Sequence, residues 1–410
     1  NKAIQSALGL KQLLLIQGPP GTGKTITIAK IVREMHNQGK RIVLSCFTHR
    51  AIDELIRKMA IHSPDVPFYR IGGFSLDEDI NSYNIEYVSR EESNVKKGVE
   101  DIQKIINSRP VYIGTSQAWL SGKYDNLIGE DMYDVSIIDE ASQMILPNSI
   151  GVMRHAKSAI LVGDHFQQPP IIQSNNAKEL SLTLFQMLFE NEELPENMKI
   201  MLDTQHRMDP VIGDFISEAF YNKKLNNSKI LSQEKIYSPS DSHSMIGKIC
   251  DPNDIITLAH SENVNHPIKN KSVEEDAEII LDIIEFLTKK GVNPKDIGVI
   301  APYRAQVALI RRKVENFISS NELNFSTKNM IDTIDRFQGD EREVIIFSMC
   351  ISKEITSDLL KDKRKINVAL SRAKKKLIVV GNWDLANDYK VFKSLFDYVE
   401  GNKHSKFIRI

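Results

Sequence analysis

Gly18-Pro19-Pro20-Gly21-Thr22-Gly23-Lys24-Thr25 stands between an apolar run, LLLIQ at 13–17, and a helical stretch, ITIAKIVREMHNQ at 26–38. A strand, a glycine-rich turn and a helix in that order form the context a phosphate-binding loop requires. The glycines let consecutive backbone N–H groups wrap phosphate oxygens, and the helix N-terminus adds a favourable dipole. Lys24 then reaches the β and γ oxygens of a bound ATP, and Thr25 supplies a hydroxyl to Mg²⁺.

Working outward, two later strand ends supply what such a loop lacks. The run VSIIDE at 135–140 closes on Asp139 and Glu140. An acidic pair at a strand end fits a metal-shell carboxylate, Asp139, beside a base for the attacking water, Glu140, although such a pair also serves as a helix N-cap. The next strand leads into Val162-Gly163-Asp164-His165-Phe166-Gln167-Gln168-Pro169-Pro170. There the Gln167 amide can sense a γ-phosphate, while the paired prolines stiffen the exit.

These runs belong to a repeated theme. RIVLSC at 41–46, VYIGTS at 111–116 and AILVGD at 159–164 complete a first set of short buried strands followed by helices. The theme restarts near residue 199 with IGVIAP at 297–302, EVIIFSMC at 343–350 and KLIVVGN at 376–382, after one weak strand, DIITLAH at 254–260. The reading is α/β: two tandem RecA-like domains with doubly wound parallel sheets, 1–198 and 199–410, and a nucleotide cleft between them. The polar, proline-bearing stretch 191–202 reads as the linker, and residues 63–110 as an insertion whose charged segment, 90–107, is helical.

Composition sets the outer limits. The 410 residues are 41% hydrophobic and 26% charged, with a net charge of −1, so any nucleic-acid contact must rest on a local groove and not on overall basicity. Cys46, Cys250 and Cys350 lie too far apart for a CxxC-type metal site and fit a reducing interior. No apolar run reaches the roughly 18 residues of a membrane span, and no signal-peptide pattern opens the chain, which together point to an intracellular protein. A start at Asn1, only a few residues before the first strand, suggests a fragment of something longer; the default expectation is a monomer or part of a longer multidomain chain.

GPPGTGKT, DEAS and GDHFQQPP are followed by TQHRM at 204–208, PYRAQ at 302–306, DRFQGDE at 335–341 and NVALSRAKKKLIVVGN at 367–382. In that order the segments resemble the motifs of superfamily 1 helicases along nearly the whole chain. The resemblance is to the branch that holds the nonsense-mediated-decay RNA helicase and the flap-processing nuclease-helicase of replication. It implies an ATP-dependent translocase moving 5′ to 3′ on single-stranded nucleic acid. SCFTHRAID at 45–53, DEASQ and GDHFQQPP lie closer to the replication nuclease-helicase and favour DNA over RNA. No nuclease motif accompanies them.

The resemblance also implies that Gln5 reads the adenine edge, and that Arg207 and Arg372 reach the γ-phosphate from the second domain. Gln338 and Glu341 would lie near the nucleotide, Glu341 suiting a ribose hydroxyl. His206 stands where many relatives carry a tyrosine beside the base, and Gln168 where a leucine is usual. For the strand itself, the candidates are Thr48, His49 and Arg50, Thr115 and Ser116, Pro302 and Tyr303, and Thr333. Hydroxyls and amides there can hold phosphates without reading sequence, and Tyr303 can stack on a base; the same hydroxyls could instead cap helices. Two other readings stay open: an RNA helicase or ribonucleoprotein remodeller, and a non-catalytic nucleic-acid scaffold.

Overall fold

The apolar runs form strands because their β-branched and aliphatic side chains fill both faces of a sheet, as strands covered by helices on each side require. In the computed structural model, residues 2–85, 108, 110–124, 133–172, 179–230, 234–238, 243–262, 271–337, 339–352 and 357–410 are described. They divide into two units, Asn1–Leu202 and Asp203–Ile410. Among the described residues no helix is long and apolar enough to cross a membrane.

The first unit holds seven parallel strands: β1 (Leu13–Gln17), β2 (Ile42–Cys46), β3 (Phe68–Arg70), β4 (Val111–Thr115), β5 (Tyr133–Ile138), β6 (Ala156–Gly163) and β7 (Lys199–Met201). Their order across the sheet is β3-β4-β2-β5-β6-β1-β7. Helices α1 (Lys2–Leu8), α2 (Lys24–Asn37) and α3 (His49–His62) pack on it through Ala7, Ile28, Val32, Ile52 and Met59. The register sets Ile137 beside Ile160 and Ile16 beside Val162, so β5, β6 and β1 end together.

Two expectations change here. Within the stretch read as linker, Lys199–Met201 is a strand paired with β1, and the division follows Leu202 instead of residue 198. Ile200 alone of that strand is buried, which is all a three-residue edge strand needs. Within the stretch read as an insertion, Phe68–Arg70 pairs with β4 and forms the opposite edge of the sheet. The helix expected at 90–107 lies outside the described residues.

The second unit carries β8 (Thr204–Gln205) and β9 (Asn226–Asn227) as a small pair. Its main sheet contains β10 (Ile256–His260), β11 (Ile297–Ala301), β12 (Ile331–Thr333), β13 (Arg342–Ser348), β14 (Ala373–Gly381) and β15 (Ser405–Arg409). The order is β12-β11-β13-β14-β10-β15, all parallel. The strand read as weak, β10, is fully buried between β14 and β15.

At the C-terminal ends of these strands a buried carboxylate ties the sheet to the helix Glu274–Lys289. Asp276 accepts hydrogen bonds from Ser261 Oγ (2.6 Å), Ser348 Oγ (3.0 Å) and the Cys350 N–H (3.2 Å). Burial pushes its pKa up to about 6. Asp276→Ala leaves those three donors without an acceptor, at about 1–3 kcal/mol for each group. The expected loss of stability is about 3 kcal/mol, read from Trp383 fluorescence during denaturant unfolding in a Trp119→Phe background; an unmoved midpoint would dismiss the network as a support. The raised pKa also fixes a sign. The folded chain holds the proton below about 6 and the unfolded chain only below about 3.9. This group's contribution is therefore fully present below pH 4 and is lost as the pH rises through 6.

Candidate active site

Because β5, β6 and β1 lie side by side and end together, three loops distant in sequence meet at one rim of the first sheet. The Gly18 N–H donates to the Gly163 carbonyl (2.9 Å), and Gln17 Nε2 donates to Asp164 Oδ1 (3.1 Å). In the loop after β1, Gly21 and Gly23 take φ of 73° and 75°, left-handed values that glycine adopts without a Cβ penalty. Lys24 folds back so that Nζ donates to the Gly18 carbonyl (2.7 Å). A Cβ at Gly18 would meet Lys24 Cγ at 2.1 Å, so the lysine stem needs a glycine beneath it.

Asp139 is buried next to Glu140, and its Oδ1 accepts the Glu140 N–H at 2.8 Å. Burial first and Glu140 second push its pKa up to about 7, against the pull of Lys24. A buried carboxylate under this much electrostatic pressure fits a cation ligand, since bound positive charge relieves both causes. Thr25 opens α2 directly behind the glycine loop. The ATP phosphates and Mg²⁺ expected from the sequence therefore suit the residues present.

Glu140 itself has φ 53° and ψ 35°, left-handed values, and its Oε2 accepts from Gln143 Nε2 at 2.9 Å. Beside it, Asp164 gathers the loop after β6. Its Oδ2 accepts from Gln167 Nε2 (2.7 Å), Oδ1 accepts from the Phe166 N–H (3.2 Å), and its own N–H donates to Ser142 Oγ (3.1 Å). Gly163 lies so close to that turn that a Cβ there would stand 2.8 Å from Ser142 N. The side chain expected to sense a γ-phosphate, Gln167, is thus oriented by Asp164. Gln5 projects from the exposed side of α1, and Gln168 is buried.

In the second unit, Arg207 Nε lies 2.5 Å from Glu341 Oε2, while Lys374 Nζ lies 3.0 Å from Glu341 Oε1. Burial raises the Glu341 pKa, but Arg207 and Lys374 outweigh it and hold the group below the usual carboxylate range. Glu341, expected at a ribose hydroxyl, carries two cationic partners from its own unit. Arg372 is 4% exposed and donates from Nε to the Val368 carbonyl (2.9 Å), which closes the last turn of the helix Lys363–Leu370. His206 is exposed, and Gln338 lies outside the described residues.

The nucleic-acid candidates of the first unit sit on the other half of its rim, after β2 and β4. Thr48 and Thr115 cap helices, accepting from the N–H groups of Ala51 and Ala118 at 3.2 Å each. Ser116 and Pro302 are buried, whereas Thr48, His49 and Arg50 are exposed and Tyr303 and Thr333 are partly so. Lys271 Nζ stands 5.1 Å from the Tyr303 ring centroid.

Sequence reasoning missed the brace behind His49. Arg70, fully buried, lies 2.8 Å from Asp53 Oδ1 and 2.9 Å from His49 Nδ1, and Ser75 Oγ donates to Asp53 Oδ2 (2.7 Å). Arg70 lies in the stretch read as insertion, so no pattern pointed to it; Asp53 stood in view within SCFTHRAID.

Two family models, each described as an AAA domain, match the chain, one over residues 1–110 and 90–175, the other over 180–384. The chain is 33% identical over 402 residues to a DNA replication ATP-dependent helicase/nuclease of Arabidopsis thaliana, covering 93% of this chain and 28% of that protein. With the protein of the same description from Mus musculus it shares 30% over 427 residues, covering 98% and 38%. The chain thus spans well under half the length of these relatives. A solved structure of an arterivirus nonstructural protein 10 (helicase) with DNA aligns with a TM-score of 0.47 at 14% identity, over 95% of this chain and 65% of that one.

Proposed function

The chain belongs to the AAA-domain ATPases as a superfamily 1 helicase core, and on that premise we propose that it hydrolyses ATP to move 5′ to 3′ along single-stranded nucleic acid, with DNA as its working polymer. The observation that carries this reading is the meeting of three loops at one rim: Lys24 over Gly18, the buried Asp139 beside Glu140, and Gln167 held by Asp164.

In the proposed cycle the amides of residues 18–25 and Lys24 hold the phosphates, Gln5 holds the adenine, and Thr25 and Asp139 are the residues for Mg²⁺. When bound, that ion neutralises charge on the β and γ oxygens. Glu140 takes the proton of the attacking water, and Gln167 orients that water. Arg207 and Arg372 stabilise the transferring phosphoryl group, each exchanging its present partner for the nucleotide. Thr48, His49 and Arg50 in the first unit, with Tyr303 and Thr333 in the second, grip the strand. Alternate tightening and release of the two grips converts hydrolysis into movement.

The test is the steady-state ATPase rate without polynucleotide, with single-stranded DNA and with RNA of matched length. Strong stimulation by DNA and weak stimulation by RNA is the expected result. Equal stimulation would favour the RNA helicase or remodeller, since phosphate contacts alone do not sense a 2′-hydroxyl. Good basal turnover that neither polymer raises would end the motor reading, and absence of turnover would leave a nucleic-acid scaffold.

A further inference from the structure

The turn that carries Arg207 belongs to neither a strand nor a helix. Residues 206–208 lie between β8 and the helix Pro210–Tyr221, so the N–H groups of Arg207 and Met208 must find acceptors outside a sheet ladder or helix. One side chain supplies both. Gln205, fully buried, accepts the two N–H groups on Oε1, each at 2.7 Å. Its Nε2 donates to the Met208 carbonyl (2.8 Å) and to Asn227 Oδ1 (2.7 Å). Asn227 is oriented in turn, with Nδ2 donating to Asp214 Oδ1 at 2.7 Å. The Gln205 amide therefore has a single orientation, because a flip would set donor against donor and acceptor against acceptor.

The neighbouring helix is shaped around this clamp. Gly213 sits inside Pro210–Tyr221, where alanine would be the better helix former. A Cβ there would stand 2.8 Å from Gln205 Nε2 and closer still to Asn227 Oδ1. Helix propensity is given up where the two amides pass. The far end of the turn is tied as well, the Asp209 N–H donating to the Lys374 carbonyl at 2.6 Å. Within the turn Met208 is buried and His206 is exposed, which leaves Arg207 facing Glu341 from a backbone held on both sides.

We infer that Gln205, set by Asn227 and Gly213, is a positioning residue for Arg207: it fixes the backbone from which the guanidinium reaches the transferring phosphoryl group. The inference rests on the role proposed above for Arg207. A misplacement of about 1 Å in such a group can cost about 10²-fold in rate. ATP affinity, which the proposed cycle draws mainly from the first unit, is spared.

The test follows single-turnover ATP hydrolysis in the presence of oligo-dT, together with ATP affinity and melting temperature. It compares the 410-residue chain with Gln205→Met, Arg207→Ala and the double variant. Gln205→Met keeps side-chain length and removes the hydrogen bonds of the amide; the expected loss of rate is about 10²-fold, with ATP affinity unchanged. The double variant is expected to match Arg207→Ala alone, since residues that act as a unit are not additive. Gly213→Ala, which suits a helix and crowds the amide without removing it, is expected to lower the rate in the same direction. It carries the same cycle should Gln205→Met unfold at the assay temperature. A glutamine that only supports the fold would lower the rate by the same factor with or without Arg207, and that additivity overturns the inference. So does an unchanged rate in the folded Gln205→Met and Gly213→Ala chains. A normal rate in Arg207→Ala alone is a separate outcome: it removes the role proposed for Arg207, and the positioning role with it.

Discussion

Arg207→Ala is expected to lower polynucleotide-stimulated ATP turnover by about 10³–10⁵-fold. Much of ATP binding should survive, because the phosphate loop and the acidic pair belong to the first unit. A planar, permanently charged guanidinium matches the equatorial oxygens of a transferring phosphoryl group, and its contribution is largest in the transition state. Arg207 now faces Glu341 at 2.5 Å and donates from Nη1 to the Ser371 carbonyl at 3.4 Å. A half-buried arginine with an acidic partner also fits a purely structural ion pair. The two roles separate cleanly in Arg207→Lys. Lysine can retain the pair with Glu341 but lacks the fork, so turnover should stay low while stability recovers. Single-turnover hydrolysis measured beside nucleotide binding distinguishes them, and rescue of hydrolysis by lysine would end the phosphoryl-stabilising role.

The second large effect is at Glu140. Glu140→Gln should bind ATP and lose about 10²–10⁴-fold in turnover, the usual contribution of a general base. The substitution keeps side-chain volume and removes only the proton acceptor. Gln143 Nε2, 2.9 Å from Glu140 Oε2, can still meet the amide oxygen of the new side chain. Losing the negative charge also removes the second cause of the raised Asp139 pKa, so metal affinity should hold or improve while hydrolysis falls. Normal turnover in the purified variant would refute the water-activating role.

What the sequence disclosed follows from what each feature must do. The positions of the glycine loop, the acidic pair and the Gln167 turn were legible because each is a run of contiguous residues at the end of an apolar strand. Central strands were legible for the same reason: burial on both faces demands unbroken aliphatic runs, as in Val344 to Phe347. Edge strands escape such reading. β3, β7, β12 and β15 are short or polar because one neighbour and one covered face suffice. Partner choice escapes it too. Nothing near TQHRM announces Glu341, and nothing in SRAK announces that Arg372 turns back on Val368. Hydroxyls at strand ends were ambiguous from the start, and Thr48 and Thr115 spend at least their acceptor capacity on helix caps.

The backbone at Glu140 carries one more consequence. Left-handed torsions in a residue with a side chain cost on the order of 1–3 kcal/mol, and glycine or asparagine would relieve much of that cost. Under the proposed water-activating role, folding and chemistry therefore pull this position toward different amino acids. A library of variants at 140 sorted on heat resistance alone would enrich glycine and asparagine and discard turnover with every gain. A position where the most heat-resistant variants are the least active locates a working centre without any substrate in hand.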